Sequence, residues 1–228
     1  MEHKDLVREE FTRQANDYAT APAILDAEHL RKLVELVAAP RDARVLEVAT
    51  GPGHVAMAFA PVCREVVGID LTDAPLKIAE KMRAERGLSN VSFQKGDVES
   101  RLPFKDGEFD IVFETSLCHV AKKHAARAIR EINRVVATGV MFGSITSDMA
   151  PALIDRYDLL RGVKKLGTWW EWSELFFGNG FDLAMHRKDC TDAIWAATLA
   201  ANKGPGQWYT DADSLRYSFF DKVDEEED

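Results

Sequence analysis

Two glycines, four carboxylates and a histidine are the residues of this 228-residue chain whose types and spacing suggest chemistry. Residues 43–60 read ARVLEVATGPGHVAMAFA: an apolar run containing Glu47, then Gly51 and Gly53 one residue apart, then a second apolar run. Such a turn lets a ligand approach the backbone closely and points the free N–H groups of the next helix at it. GPGHVA also satisfies the dinucleotide fingerprint G-x-G-x-x-G/A, which is weak evidence when it stands alone. Asp70 closes the next apolar run, where a carboxylate can accept from both hydroxyls of an adenosine ribose. That chemistry is shared by NAD and by S-adenosylmethionine. As a competing reading, Asp70 caps the helix that follows, although Thr72 or Asp73 is better placed for that.

Glu47 and Asp97 separate the two ligands. A carboxylate at position 47, just ahead of the turn, would repel a pyrophosphate and suits a ligand bearing an ammonium or sulfonium group. Asp97, in FQKGDVE, sits where its side chain can accept from an adenine amino group while Val98 offers a backbone N–H. Read alone, Asp97 would be an ordinary turn residue. Further along, Glu114, Thr115, Ser116 and His119 follow an apolar strand. His119 is placed to act as a general base, with an unperturbed pKa of about 6.5; a histidine that only packs there is the competing reading. Its neighbour Cys118 reads as inert.

These residues need strand ends to present them, and the hydrophobic pattern supplies strands alternating with helices. Strands are expected at 45–48, 65–70, 91–94, 109–114 and 139–145, with helices at 55–61, 74–86 and 123–136 between them. Two helices precede this series, one over the first 20 or so residues and one over 24–37. Late strands at 181–185 and 193–199 fit an antiparallel pair at one sheet edge. The fold class is therefore α/β: a Rossmann-like, doubly wound, mostly parallel seven-stranded sheet with an antiparallel edge strand. One domain is expected over residues 1–203, with a helical cover at 1–38 and an insert at 147–168. Residues 204–228 read as an extension ending in an acidic tail. Trp169, Trp172 and Phe176 share a helical face that reads chiefly as core, with part of it available to wall an apolar pocket.

The net charge of −9 argues against non-specific nucleic-acid binding. No apolar run is long enough to suggest a membrane span, and the charged N-terminus does not resemble a signal peptide. Cys63, Cys118 and Cys190 are scattered without metal-ligand spacing, so reduced thiols, a cytoplasmic location and no metal are expected.

With these motifs in order, the chain resembles the class I S-adenosylmethionine-dependent methyltransferases, in particular the ubiquinone/menaquinone-biosynthesis-like group. VLEVATGPGHVA is similar to that family's first motif, with Ala49 in place of its first glycine; VVGIDLT is similar to the second. GDVESRLPFKDGEFDIV resembles its adenine-contacting turn and fourth strand, and FTRQANDYA resembles the helix lying over the cofactor. The resemblance implies S-adenosylmethionine as cofactor, held at the turn by Glu47, Ala49, Thr50, Gly51 and Gly53. It further implies contacts from Asp70 and Leu71 at the ribose, from Asp97 and Val98 at the adenine, and from Glu114 and Tyr18 near the sulfonium. Tyr18 could instead simply anchor its helix.

The chain departs from the family in two places. Ala137-Thr138-Gly139 replaces the usual Lys-Pro-Gly-Gly turn, and the insert at 147–168 matches no family motif. The acceptor therefore stays open: an O, N or C nucleophile on a small-molecule or lipid-like compound, methylated by a monomer or homodimer. An NAD(P)-dependent oxidoreductase and a non-catalytic adenosyl-binding module are the alternatives.

Overall fold

The computed structural model describes residues 2–20, 27–114, 117, 120, 122–145, 174–187 and 215–223. Helices α1 (His3–Arg13), α2 (Ala15–Thr20) and α3 (Ala27–Val37) lead into a strand–helix series. The series runs β1 (Arg44–Val48), α4 (His54–Phe59), β2 (Glu65–Asp70), α5 (Asp73–Glu85), β3 (Val91–Lys95), β4 (Phe109–Glu114), α6 (Lys122–Val135) and β5 (Val136–Ile145). β6 (Phe181–Arg187) and β7 (Leu215–Lys222) follow.

Strands β1 to β5 are parallel, in the order β3-β2-β1-β4-β5. Successive side chains on a strand face opposite sides, and two apolar clusters result. Leu46, Val48, Val67, Ile69 and Val112 pack on one face against Ala125, Ile129 and Ile132 of α6. Val45, Val66, Ile111 and Phe113 pack on the other against Leu33 of α3 and Met57 and Phe59 of α4. This explains why β1 and β4 are apolar almost throughout: both faces of the sheet are covered.

The structure departs from the sequence expectation at several points. The first helix is two: Gln14 leaves helical geometry at φ −95° and ψ 4°, and α2 starts at the next residue. No turn separates α6 from β5. Residues 137–139, read as a shortened turn, lie inside β5, and a register irregularity between Phe109 and Ile111 accommodates them against β4. The antiparallel partner of β6 is β7, drawn from the stretch read as an extension. β7 lies between β5 and β6 and runs antiparallel to both, so β6 at the edge is parallel to β1–β5. The Lys222 ammonium at the end of β7 donates to the carbonyls of Asn133 and Val136, 3.1 and 2.8 Å away, at the C-terminal end of α6. Residues 193–199, the insert at 147–168 and Trp169, Trp170 and Trp172 lie outside the described residues; Phe176 is fully buried and its ring centroid lies 5.6 Å from that of Phe181.

Candidate cofactor site

The strand order reverses direction between β1 and β4, and a ligand crevice opens beyond strand ends at such a switch point. Val48 and Glu114 are paired across it. The chain leaves β1 through three positive-φ residues: Ala49 at 55°, Gly51 at 51° and Gly53 at 77°. The turn is braced from beneath. Thr50 N–H donates to the Ile69 carbonyl at 2.9 Å, and Gly53 N–H to the Thr50 carbonyl at 2.9 Å.

The two glycines have different duties. A Cβ on Gly53 would lie 2.5 Å from Phe93 Cε1 and 3.2 Å from Ala79 Cβ, so this glycine lets the turn pack on β3 and α5. A Cβ on Gly51 would meet nothing within 4 Å, so there the backbone borders open space.

Glu47 is buried and its Oε2 accepts from the Thr50 hydroxyl and, at 2.9 Å, from Ala56 N–H. The side chain expected to face a ligand also fastens the first turn of α4 to β1. Burial pushes its carboxyl up to about 8, against the downward pull of the Thr50 and Ala56 hydrogen bonds, and the charge of Asp70 adds to the rise. Asp70 accepts from Gly51 N–H at 2.9 Å and from Thr72 N–H at 2.8 Å. Burial raises its carboxyl too, despite these bonds. The start of α5 has Thr72 as its N-cap, without a side-chain cap bond.

Buried Glu47 and half-buried Asp70 both have raised carboxyl pKa values; a nearby anion would raise them further, whereas a cationic ligand favours their ionised forms. A carboxylate has about four acceptor positions, so Asp70 keeps capacity for hydroxyl donors beyond its two backbone bonds. The open edge at Gly51, with Asp70 beside it, fits a ribose and a positively charged tail. A cavity of about 470 Å³ opens nearby, between Arg8, Thr12 and Asn16 of the N-terminal helices and Leu71, Thr72 and Ile78.

Asp97 accepts from Glu99 N–H at 3.0 Å, Ser100 Oγ at 3.1 Å and the Lys4 ammonium at 2.8 Å. Burial acts to raise its carboxyl, but the bonds from Lys4 and the Glu99 amide outweigh it and hold the group below the usual range. Val98 packs at the margin of the first apolar cluster, as does Tyr18, whose ring centroid lies 5.8 Å from that of Phe11. Glu114 is fully buried and accepts from Leu117 N–H at 3.0 Å. Thr115, Ser116, Cys118 and His119 lie outside the described residues. Among the described residues, no group of three or more His, Cys, Asp or Glu could hold a metal.

Sequence reasoning passed over two contacts. His54, within the quoted GPGH, is 3% exposed, and its Nε2 lies 3.1 Å from the Ala19 carbonyl at the end of α2. A carbonyl only accepts, so Nε2 carries the proton, and Nδ1 is buried without a partner among the described residues. Burial lowers the imidazole pKa, the nearby Arg86 charge lowers it further, and the bond to Ala19 works against both. A buried histidine opening α4 was a visible signal; the lysine at Asp97 left none.

The strand order, the glycine turn and the acid at the end of β2 define a methyltransferase-type α/β domain. Residues 45–139 match the family model described as Methyltransferase domain. The chain is 34% identical over 129 residues to the uncharacterized methyltransferase YcgJ of Bacillus subtilis, covering 55% of this chain and 49% of that protein. It is 35% identical over 114 residues to the ubiquinone/menaquinone biosynthesis C-methyltransferase UbiE of Shewanella oneidensis, covering 48% of this chain and 44% of that protein. The chain thus spans about half the length of these relatives. A crystal structure described as a SAM-dependent methyltransferase from Aquifex aeolicus superposes with a TM-score of 0.66 at 15% identity, covering 93% of this chain and 98% of that one. The fold is therefore the Rossmann-like methyltransferase fold.

Proposed function

We propose that this protein transfers a methyl group from S-adenosylmethionine to an O, N or C nucleophile of a small-molecule or lipid-like acceptor. The observation that carries the reading is the pair of acids at the glycine turn, Glu47 buried beneath it and Asp70 half-buried beside the open edge at Gly51. Glu47 and Asp70 disfavour the pyrophosphate of a dinucleotide and complement a cationic, hydroxyl-bearing cofactor. When bound, S-adenosylmethionine supplies an electrophilic methyl on a sulfonium leaving group. In this reading Asp70 accepts from the ribose hydroxyls, Asp97 accepts from the adenine amino group with Val98 offering its N–H, and Leu71 borders the base. Ala49, Thr50 and Gly51 present backbone to the aminocarboxypropyl tail, with Glu47 and Gly53 holding that backbone in shape.

Glu114 and Tyr18 lie toward the sulfonium end, and His119 serves as general base where the acceptor must lose a proton. Orientation alone suffices for acceptors that need none. The name of the Shewanella relative favours a carbon acceptor. The reading takes the seven strands as one sheet and extends the domain through β7, because Lys222 fastens that strand to α6 at Asn133 and to the start of β5 at Val136. It places the protein in the cytoplasm as a monomer or homodimer. Among the described residues no helix is long and apolar enough to cross a membrane. The buried Cys63 thiol, pushed up to about 11 by burial, suits an inert structural cysteine.

Calorimetry with S-adenosylmethionine, S-adenosylhomocysteine and NAD tests the cofactor. Binding of the first two is expected, and tighter NAD binding refutes the proposal. Methyl-transfer assays over an acceptor panel then separate an enzyme from a binding module, and His119→Ala tests the base.

A further inference from the structure

Besides packing on α5, the N-terminal helices are pinned by side-chain hydrogen bonds to the turns that follow β1 and β3. At the far end of α2, His54 holds the Ala19 carbonyl next to the glycine turn. At the start of α1, the Lys4 ammonium donates to Asp97 Oδ2 at 2.8 Å and lies 3.2 Å from Glu99 Oε2. Between these points Phe11 and Tyr18 pack on the first apolar cluster. The two helices thus lie across the carboxyl ends of β1 to β3, where the cofactor must enter.

The two pins differ in kind. The one at His54 is a single bond to a carbonyl from a buried ring. The one at Lys4 is ionic and joins three elements: Glu99 is 8% exposed and its Oε2 is shared with His124 Nδ1 near the start of α6. Asp97 already accepts from Lys4, the Glu99 amide and Ser100, three of its roughly four acceptor positions. An amino group arriving at Asp97 therefore meets Lys4 on the same carboxylate.

We propose that Lys4 is a positioning residue for the cofactor: its ion pair with Asp97 and Glu99 is the catch that holds α1 over the adenine end of the cleft and sets how fast the cofactor enters and leaves. This rests on the cofactor reading above. Entry requires the catch to release, α1 to lift, and Lys4 to return to the same carboxylate that the base then uses. A catch acts on both directions of exchange, whereas a residue that only stabilises the complex acts on release alone.

The test is stopped-flow binding of S-adenosylhomocysteine to the full chain, alongside hydrogen exchange without ligand. Lys4→Met is expected to speed dissociation about tenfold and to speed association by a smaller factor, with a matching weakening at equilibrium. Amide exchange should accelerate across α1 and leave the sheet unchanged. Added salt should speed exchange of the ligand in the wild type and have little effect in Lys4→Met. Lys4→Arg should restore slow rates, and Glu99→Gln, a change outside α1, should loosen the catch and likewise speed amide exchange across α1. Wild-type rates and α1 exchange in both Lys4→Met and Glu99→Gln overturn the catch, as does a change in dissociation alone. If the wild-type chain binds no S-adenosylhomocysteine, the cofactor reading fails and this role of Lys4 fails with it; intact binding with an unmoved α1 overturns the catch by itself.

Discussion

The Gly51 amide donates to Asp70 Oδ2 at 2.9 Å, so the acid at the end of β2 also holds the turn at the end of β1. Its other oxygen takes Thr72 N–H at 2.8 Å, which fixes the entry to α5. Asp70 is thus a ligand group in the proposed reading and a structural bracket in this fold. Asp70→Asn keeps the volume but loses the charge, and its amide nitrogen, a donor, must face the N–H of Gly51 or Thr72, so one bracket bond is lost as well. Cofactor affinity is expected to fall by about 1.5–3 kcal/mol, read by calorimetry. Unchanged affinity would place the ribose elsewhere.

Glu47 gives the fold a pH signature. Its carboxyl is raised by burial from 4.5 to about 8, so the folded chain keeps a proton that the unfolded chain releases between those values. Stability from this group is complete below about 4.5 and declines as pH rises toward 8. Urea midpoints should show a loss of about 2–4 kcal/mol over that window, and Glu47→Gln should flatten it. A cationic ligand reverses the balance, so binding S-adenosylmethionine at pH 7 should release protons, visible as a buffer-dependent heat.

The glycines at 51 and 53 should fail differently. Gly53→Ala drives a methyl into Phe93 and Ala79 at a positive φ, with an expected loss of about 2–4 kcal/mol in chemical denaturation. Gly51→Ala meets open space, so the fold should lose only about 1 kcal/mol of backbone strain. Its larger effect should appear in cofactor affinity. Equal stability losses at the two positions would contradict this division of labour.

His54 adds an acid limb. Burial keeps the folded imidazole neutral below its usual range, whereas the unfolded chain protonates near 6.5. Its stability contribution is therefore present above 6.5 and is lost as pH falls toward the depressed folded value. His54→Gln, which keeps a donor and cannot titrate, should remove that limb. His54→Ala should speed amide exchange in α2 and weaken the cofactor by about 1 kcal/mol. An unaltered α2 in His54→Ala would show that the Ala19 contact holds nothing in place.

Much of this architecture was legible because local pattern and tertiary environment agree. β2 and β4 occupy the expected residues, β1 and β3 each differ by one residue at one end, and α5 is shifted by one residue at both ends; β1, β2 and β4 are marked clearly because both of their faces are buried. The ribose acid and the glycine turn were legible for a similar reason: few residue types satisfy a positive φ followed by a helix. Even so, Ala49 adopts φ 55° without being glycine. The junction at residues 136–139 misled because pairing with β4 overrides a local turn signal. β7 was missed because its partners lie far away in sequence and its residues LRYSFFDK mix charge with aromatics. The internal bonds of Glu47, the His54 tether and the Lys4 catch depend on which surfaces meet, and residue spacing does not encode that.

The position of β7 between β5 and β6 has a consequence for biosynthesis. Until residues 215–222 have left the ribosome, β5 presents an unpaired strand edge and β6 has no place in the sheet. An open edge beside a complete parallel core is a template for pairing with another chain. Premature termination anywhere between β6 and β7 should therefore yield a chain that self-associates through β5, making the last strand the element that protects the nascent protein from its own kind.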